Sequence, residues 1–357
     1  MNGKNSMKQT FIIVLAILIS CQDRKTPPAE TETKEEAAVV RDTSNAVYYW
    51  KTTLKLSDEE RKFLTDNQIK RLYLRYFDVG RDADFQERTE PVPIATLRFL
   101  DSIPSNLEII PTVFIDNELF KTGNLKNLDS LLVERIFKMS ETNDIHNINE
   151  IQIDCDWTKT TETAYFKFLQ QVGRRLENKK KIPLKTSTKL SATIRLHQLN
   201  MSEPPVHSGV LMCYNTGGIR NPQTNNSILS ADDVALYCKN TGRYALPLDV
   251  AYPTFSWAVW FQNGQFQALL RGLTRDNENL SLKKDNVYTV KNGFYQEGKY
   301  LAIGDEIRFE DSDMEEILKV KKMLENQLSN YSIILYHLDN NNLSKYTSDE
   351  IKQIYSH

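Results

Sequence analysis

The chain has 357 residues, of which 40% are hydrophobic and 26% charged, and its formal net charge is −2 at pH 7. A nearly neutral chain lacks the basic surface that nucleic acid binding requires, so we expect no nucleic acid partner. Residues 45–357 are rich in Tyr, Phe and Ile, and they suffice for one large domain or two small ones.

The amino terminus has the pattern of an export signal over residues 1–20. Two lysines precede the apolar run 11–19, which is too short to span a bilayer comfortably. Met1 and Met7 would serve equally well as the first residue. A buried apolar helix is the structural alternative for this segment.

Residues 18–21, Leu-Ile-Ser-Cys, resemble the lipobox of bacterial lipoproteins. The resemblance implies that Cys21 is diacylated, that the preceding signal peptide is removed, and that palmitate-type chains anchor the protein to a membrane of the cell envelope. It leaves open whether the protein faces the periplasm or the cell surface. An ordinary signal peptide is the alternative. Residues 21–44 are polar and contain two prolines, which predicts a flexible tether followed by a folded domain from residue 45.

Three further cysteines lie at positions 155, 213 and 238. Cys155 and Cys213 fall inside strand-like runs, which favours small buried side chains, and a disulfide is the alternative in an oxidising compartment. There is no CxxC and no His/Cys spacing typical of zinc, so no metal site is predicted.

The rest of the chain alternates short apolar runs with amphipathic stretches. The predicted strands are 47–50, 71–77, 107–115, 150–157, 190–196, 209–215, one within 248–261, and 331–337. One predicted helix begins after the cap Ser57, and four others cover 125–139, 161–178, 314–328 and 347–356. Asn263-Gly264 is predicted as a hairpin turn, and 275–310 as an irregular insertion after strand seven.

Eight strands separated by helices predict an α/β protein with a parallel sheet, and eight strands close a (β/α)8 TIM-type barrel. An open doubly wound sheet is the alternative. Neither GxGxxG nor GxxxxGK[ST] is present, so no nucleotide-type cofactor is predicted.

Function in such a barrel gathers at the carboxyl ends of the strands. Gln152, Asp154 and Asp156 alternate with apolar residues on strand four, and Arg195 shares the polar face of strand five. The two polar faces should meet inside the barrel mouth, either as a ligand site or as a buried network that only fills the barrel. The further candidates for ligand contact are Trp50, Arg75, Tyr214, Asn215, Trp257 and His337.

Two runs resemble the chitinase-type (family 18) glycoside hydrolases, which carry DxxDxDxE on strand four and M-x-Y-[DN] on strand six. Asp154 and Asp156 match the two later aspartates, and Met212, Tyr214 and Asn215 match the second run. In that family the glutamate is the general acid, the preceding aspartate positions the acetamido group of the sugar, and that group is the nucleophile.

The glutamate position is Thr158 here, and the first aspartate position is Ile151. A threonine hydroxyl cannot act as a general acid at neutral pH, so any catalysis would have to use Asp156 as the acid with Asp154 as its charge partner. Taken in order, YYWKT, IQIDCDWT, LSATIRLHQL, LMCYNTG and ILYHLD are also similar to an uncharacterised bacterial lipoprotein family with a glycosidase-like barrel.

We therefore expect a cell-envelope lipoprotein that binds a carbohydrate at the barrel mouth, with hydrolysis as one possibility. The alternative is a non-catalytic barrel that serves ligand binding or envelope assembly. A metal-dependent hydrolase is disfavoured because no pair of histidines lies near the aspartates.

Overall fold

A computed structural model describes residues 43–356 apart from 82–89, 123–124, 178–187 and 240. The predicted signal peptide, Cys21 and all but the last two residues of the predicted tether lie outside the described residues. Within the described ranges, no helix is both long enough and apolar enough to cross a membrane.

Eight parallel strands close into a barrel. In chain order, barrel strands one to eight are Asn45–Tyr49, Arg71–Gly80, Glu108–Ile115, Glu150–Asp154, Lys189–Arg195, Ser208–Met212, Leu248–Pro253 and Ile333–Tyr336. Strand one pairs on one side with strand two and on the other with strand eight, so the sheet has no gap. The predicted (β/α)8 barrel is confirmed, and the open doubly wound sheet is excluded.

Side chains alternate between the inside and the outside of this barrel, as the pleat of a strand requires. Ile151 and Ile153 belong to the large core between the barrel and its helices. Tyr48, Tyr73 and Met212 belong to a separate cluster inside the barrel. The apolar and polar faces that were predicted for strand four therefore point outward and inward respectively.

Helices cover the outside of the barrel. The α-helices are Asp58–Asp66, Glu118–Thr122, Leu128–Thr142, Glu162–Glu177, Ala231–Cys238, Met314–Glu325, Asn340–Leu343 and Ser348–Tyr355, and the 3-10 helices are Leu196–Asn200 and Thr241–Arg243. Ser57 caps the first helix, as predicted, and Thr347 caps the last; each forms a capping box with the glutamate three residues later.

A second sheet is inserted between barrel strands seven and eight. Its antiparallel strands are Ser256–Gln262, Gln265–Leu270, Leu280–Lys284, Val287–Val290 and Glu306–Asp311. A separate hairpin, Phe294–Gln296 and Lys299–Leu301, lies in sequence between the last two of these strands. The insertion follows strand seven as predicted, but it is regular and already begins at Ser256, whereas 275–310 was predicted as irregular. The sheet has a small core of its own, which includes Ala258, Val290 and Ile307.

The predicted hairpin turn lies within this inserted sheet. Asn263 and Gly264 have φ angles of 49° and 72°, the left-handed pair that a two-residue type I′ turn requires. Three short strands complete the structure: Thr53–Leu54 pairs with Arg98–Phe99, and Val92–Ile94 pairs antiparallel to strand two.

An ion-pair network fills the end of the barrel where the strands begin. Arg71 Nη2 lies 2.5 Å from a carboxylate oxygen of Glu150, and Arg71 Nε lies 3.2 Å from Glu108. The hydroxyl of Ser191 donates to Glu150 over 2.5 Å. This network joins the amino-terminal ends of strands two to five, at the end of the barrel opposite the mouth.

Candidate functional site

A cluster of Asp154, Asp156 and Arg195 lies where strands four and five end. Arg195 Nη2 donates to Asp154 Oδ1 over 2.9 Å, and Arg195 Nε donates to Asp156. Thr193 Oγ1 donates to the same oxygen of Asp154 over 2.6 Å. The Asp154 side chain is only 7% exposed, whereas that of Asp156 is 58% exposed. One arginine thus joins a buried carboxylate to a carboxylate that faces solvent.

Burial dominates the protonation of the inner carboxyl. Loss of solvent raises the pKa of Asp154, and the Arg195 guanidinium and the Thr193 hydroxyl offset this only in part. Burial alone would lower the pKa of Arg195, but the charges of Asp154 and Asp156 outweigh it and raise that pKa. The guanidinium therefore stays charged, and it is the fixed positive centre of the cluster.

Five aromatic rings form a continuous surface beside this cluster, which we call the aromatic wall. Ring centroids lie 5.8 Å apart for Trp50 and Tyr336 and 5.0 Å apart for Tyr336 and Tyr214. They lie 5.8 Å apart for Tyr214 and Phe255 and 5.1 Å apart for Phe255 and Trp257. All five residues are partly exposed. The wall therefore offers ring surface to a ligand along the mouth.

The wall and the charged cluster border the same space. Burial raises the pKa of Tyr214 and of Tyr336, and the charges of Asp154 and Arg195 act on both hydroxyls as well. Trp50, Tyr214 and Tyr336 also pack against the apolar cluster inside the barrel. The aromatic wall and the charged cluster are therefore close neighbours at the mouth of the barrel.

Arg75 lies beside the wall and has a different partner from Arg195. Its Nε donates to Asp78 over 2.7 Å, and its guanidinium lies 5.4 Å from the ring centroid of Trp50. This cation–π contact and the T-shaped contact with the ring of Tyr48 hold the indole of Trp50 in place.

Trp257 reaches the mouth from the inserted sheet, two residues after Phe255. Its indole Nε1 donates to Glu310 Oε2 over 2.7 Å. Sequence reasoning missed Phe255 and Glu310 because it predicted a single strand within 248–261 and an irregular segment over 275–310. The alternation of the apolar residues Ile307 and Phe309 with charged residues was the available signal for the strand that carries Glu310.

Two predicted residues lie beside the mouth rather than in the charged cluster. His337 contacts the ring of Tyr336, and burial lowers its pKa; the charges that act on it are Asp339, Lys51 and Glu60. Asn215 is exposed, with φ at 57°, and its backbone N–H donates to the carbonyl of Ile228 over 2.7 Å. Asn215 therefore turns the chain into the loop that follows strand six.

Thr158, at the position of the family's glutamate, is exposed in the segment between strand four and the helix Glu162–Glu177. Its backbone N–H donates to Thr161 Oγ1 over 2.9 Å, and its hydroxyl contacts that of Thr160.

Among the described residues, no group of three or more His, Cys, Asp or Glu side chains could hold a metal ion. Cys155, Cys213 and Cys238 are free and buried, which confirms the prediction of small buried side chains for Cys155 and Cys213.

No protein-family model and no curated protein matches the sequence. Solved structures do match. The spore cortex-lytic enzyme SleL from Bacillus cereus is 13% identical with a TM-score of 0.50, covering 84% of this chain and 71% of that one. A class V chitinase from Nicotiana tobaccum is 11% identical, with a TM-score of 0.53 and coverage of 88% and 99%. A plant class V chitinase mutant from Cycas revoluta, in complex with (GlcNAc)3, is 10% identical, with a TM-score of 0.53 and coverage of 88% and 100%. The chain shares the barrel fold of these enzymes.

Proposed function

We propose that this protein is a lipid-anchored protein of the cell envelope that binds a carbohydrate at the barrel mouth without hydrolysing it. The observation that carries the binding is the aromatic wall from Trp50 to Trp257, which lies beside the exposed carboxylate of Asp156. The anchoring rests on the lipobox-like sequence at Cys21.

The chemistry of the mouth suits a sugar. The C–H faces of a pyranose ring are apolar and pack on aromatic faces, while its hydroxyls need hydrogen-bond partners. The wall offers the first kind of contact. Asp156 accepts hydrogen bonds, and the buried Nη1 of Arg195, which has no hydrogen-bond partner within the described residues, offers a donor.

Two features favour binding over hydrolysis. The glutamate position of the family 18 pattern is a threonine, so no acid stands where that family places its proton donor. The alternative acid, Asp156, already accepts a hydrogen bond from the Arg195 guanidinium, as a carboxylate does.

Oligomers of N-acetylglucosamine are the ligands to test first, because the similar plant chitinases were solved with NAG4 and (GlcNAc)3. Calorimetric titration of the folded domain with (GlcNAc)3 should show saturable binding. Trp50→Ala should weaken this binding at least roughly tenfold, since a stacking face is lost. Tyr295→Ala is the matched control, because Tyr295 is an aromatic residue that is 73% exposed on the inserted hairpin, and it should leave binding unchanged.

A failure of the wild-type domain to bind chitin oligomers, peptidoglycan fragments and other oligosaccharides alike would refute the proposed function. Equal losses of affinity in Trp50→Ala and Tyr295→Ala would show that the ligand binds elsewhere than in the mouth.

A further inference from the structure

The inserted sheet and the loop after barrel strand six meet at one fully buried carboxylate. The Glu310 side chain has no exposed surface. Its Oε1 accepts from Arg308 Nε over 2.5 Å, and its Oε2 accepts from Ser227 Oγ over 2.5 Å and from Trp257 Nε1 over 2.7 Å. Three donors from three segments of the chain thus converge on one side chain.

Arg308 extends this junction further into the loop. Its Nη1 donates to the carbonyl of Asn221 over 2.8 Å, and its Nη2 donates to the carbonyl of Ile219 over 3.1 Å. Its guanidinium also lies 4.9 Å from the ring centroid of Phe261. Arg308 is 1% exposed. We call Glu310 and Arg308 the hub.

A buried ion pair of this kind gives little net stability compared with apolar side chains of the same size, because both charges lose their hydration. The Glu310 carboxylate does fix the orientation of its neighbours, because each donor must point at one of its two oxygens. Of the three groups that donate to Glu310, only the indole of Trp257 belongs to the aromatic wall.

We infer that Glu310 is a positioning residue for the carbohydrate site: it fixes the ring plane of Trp257 and, through Arg308, the loop 219–227 that borders the mouth. This inference rests on the proposed function for what the wall binds. The positioning itself can be measured without any ligand.

The test compares Glu310→Gln with Glu150→Gln. Both glutamates are buried and both accept from one arginine and one serine, Arg308 and Ser227 in the first case and Arg71 and Ser191 in the second. Only Glu310 also accepts from a tryptophan. A glutamine amide presents N–H groups in place of one oxygen, so at least one of the three donors to Glu310 must lose its acceptor.

The first readout is the indole N–H resonance of Trp257, assigned by its disappearance in Trp257→Phe. We expect Glu310→Gln to shift this resonance upfield and to speed hydrogen exchange of the amides in 219–227 roughly tenfold. Glu150→Gln should change neither, even where it lowers the melting temperature by a similar amount. Identical effects of the two variants, or an unmoved indole resonance in Glu310→Gln, would overturn the inference.

The second readout is the affinity for (GlcNAc)3, which should fall roughly tenfold in Glu310→Gln and change less than about twofold in Glu150→Gln. Should Glu310→Gln not fold, Trp257→Phe keeps an aromatic ring at this position but removes the indole N–H together with the five-membered ring that carries it. It should weaken binding while loop exchange stays as in the wild type, and full wild-type affinity in Trp257→Phe would refute the positioning role. If the wild type binds no oligosaccharide, the proposed function fails, and the indole and exchange measurements alone decide whether the hub positions Trp257.

Discussion

Arg195 Nη2 lies 2.9 Å from Asp154 Oδ1, so a charged guanidinium is hydrogen-bonded to a carboxylate that is almost fully shielded from water. Burial raises the pKa of that carboxyl even with the guanidinium present. The arginine therefore lowers the free-energy cost of burying the charged carboxylate of Asp154 in the barrel interior.

Arg195→Met should lower the free energy of unfolding at pH 7 by roughly 3 kcal/mol, because Asp154 then keeps its charge without its partner. Urea unfolding followed by circular dichroism measures this. Arg275→Met, which removes an exposed arginine paired with Asp311, is the matched control and should cost less than about 1 kcal/mol. Equal losses of unfolding free energy in Arg195→Met and Arg275→Met would mean that the Asp154–Arg195 pair is solvated.

The loss of unfolding free energy caused by Arg195→Met should become smaller as the pH falls. The pKa of Asp154 in the folded protein lies above its ordinary value of 3.8, so folding favours the protonated form, and stability falls as the pH rises through the raised pKa. Removing the guanidinium raises that pKa further. The difference between the wild type and Arg195→Met should thus shrink on acidification from pH 7. A constant difference over this range would contradict the buried, charged state of Asp154.

Asp156→Asn should separate binding from stability, because this side chain is 58% exposed. We expect the free energy of unfolding to change by less than about 1 kcal/mol, while (GlcNAc)3 binds several-fold more weakly because an acceptor at the mouth is lost. Asp285→Asn, at an exposed turn of the inserted sheet, should affect neither quantity. A large destabilisation without any change in binding would identify Asp156 as a structural residue.

Prolonged incubation of the purified domain with chitin oligomers should release no new reducing ends, since Thr158 occupies the position of the acid in the family 18 pattern. Mass spectrometry of the mixture gives the check. Product formation that disappears in Asp156→Asn, but persists in Asp285→Asn, would instead establish a hydrolase with Asp156 as its acid.

Cells that express the wild-type protein should incorporate labelled palmitate into it, and Cys21→Ala should abolish the label and leave the protein unprocessed or soluble in the envelope fraction. Cys238→Ala is the control, because that cysteine is buried in the folded domain. A Cys21→Ala protein that still carries the label and sediments with membranes would disprove the lipobox assignment.

The barrel could be predicted because its strands repeat one pattern eight times. The meeting of Asp154 with Arg195 followed from the same pattern, since residues on the polar faces of neighbouring parallel strands must point into the same interior. Local alternation of side chains was sufficient for both.

The inserted sheet could not be predicted with the same success. Three of its strands, Gln265–Leu270, Leu280–Lys284 and Val287–Val290, are short and largely exposed or half-buried. The pairing of the more buried strands Ser256–Gln262 and Glu306–Asp311 joins segments that are far apart in sequence. The bond between Trp257 and Glu310 depends on this pairing, as does the contact of Ser227 with Glu310, 83 positions away. No spacing in the sequence reveals contacts that arise only after two sheets have folded.

Closure of the barrel by its last strand has a consequence for how the protein reaches its folded state. Ser44 and Ser332, at the edges of the first and last strands, are hydrogen-bonded across 288 positions. Until Ile333–Tyr336 has been synthesised and has docked, strands one and seven each expose an unpaired backbone edge that could pair with another chain. Chains truncated before residue 333 should therefore aggregate rather than fold into a smaller barrel, and a chaperone that shields strand edges would raise the yield of the full-length protein.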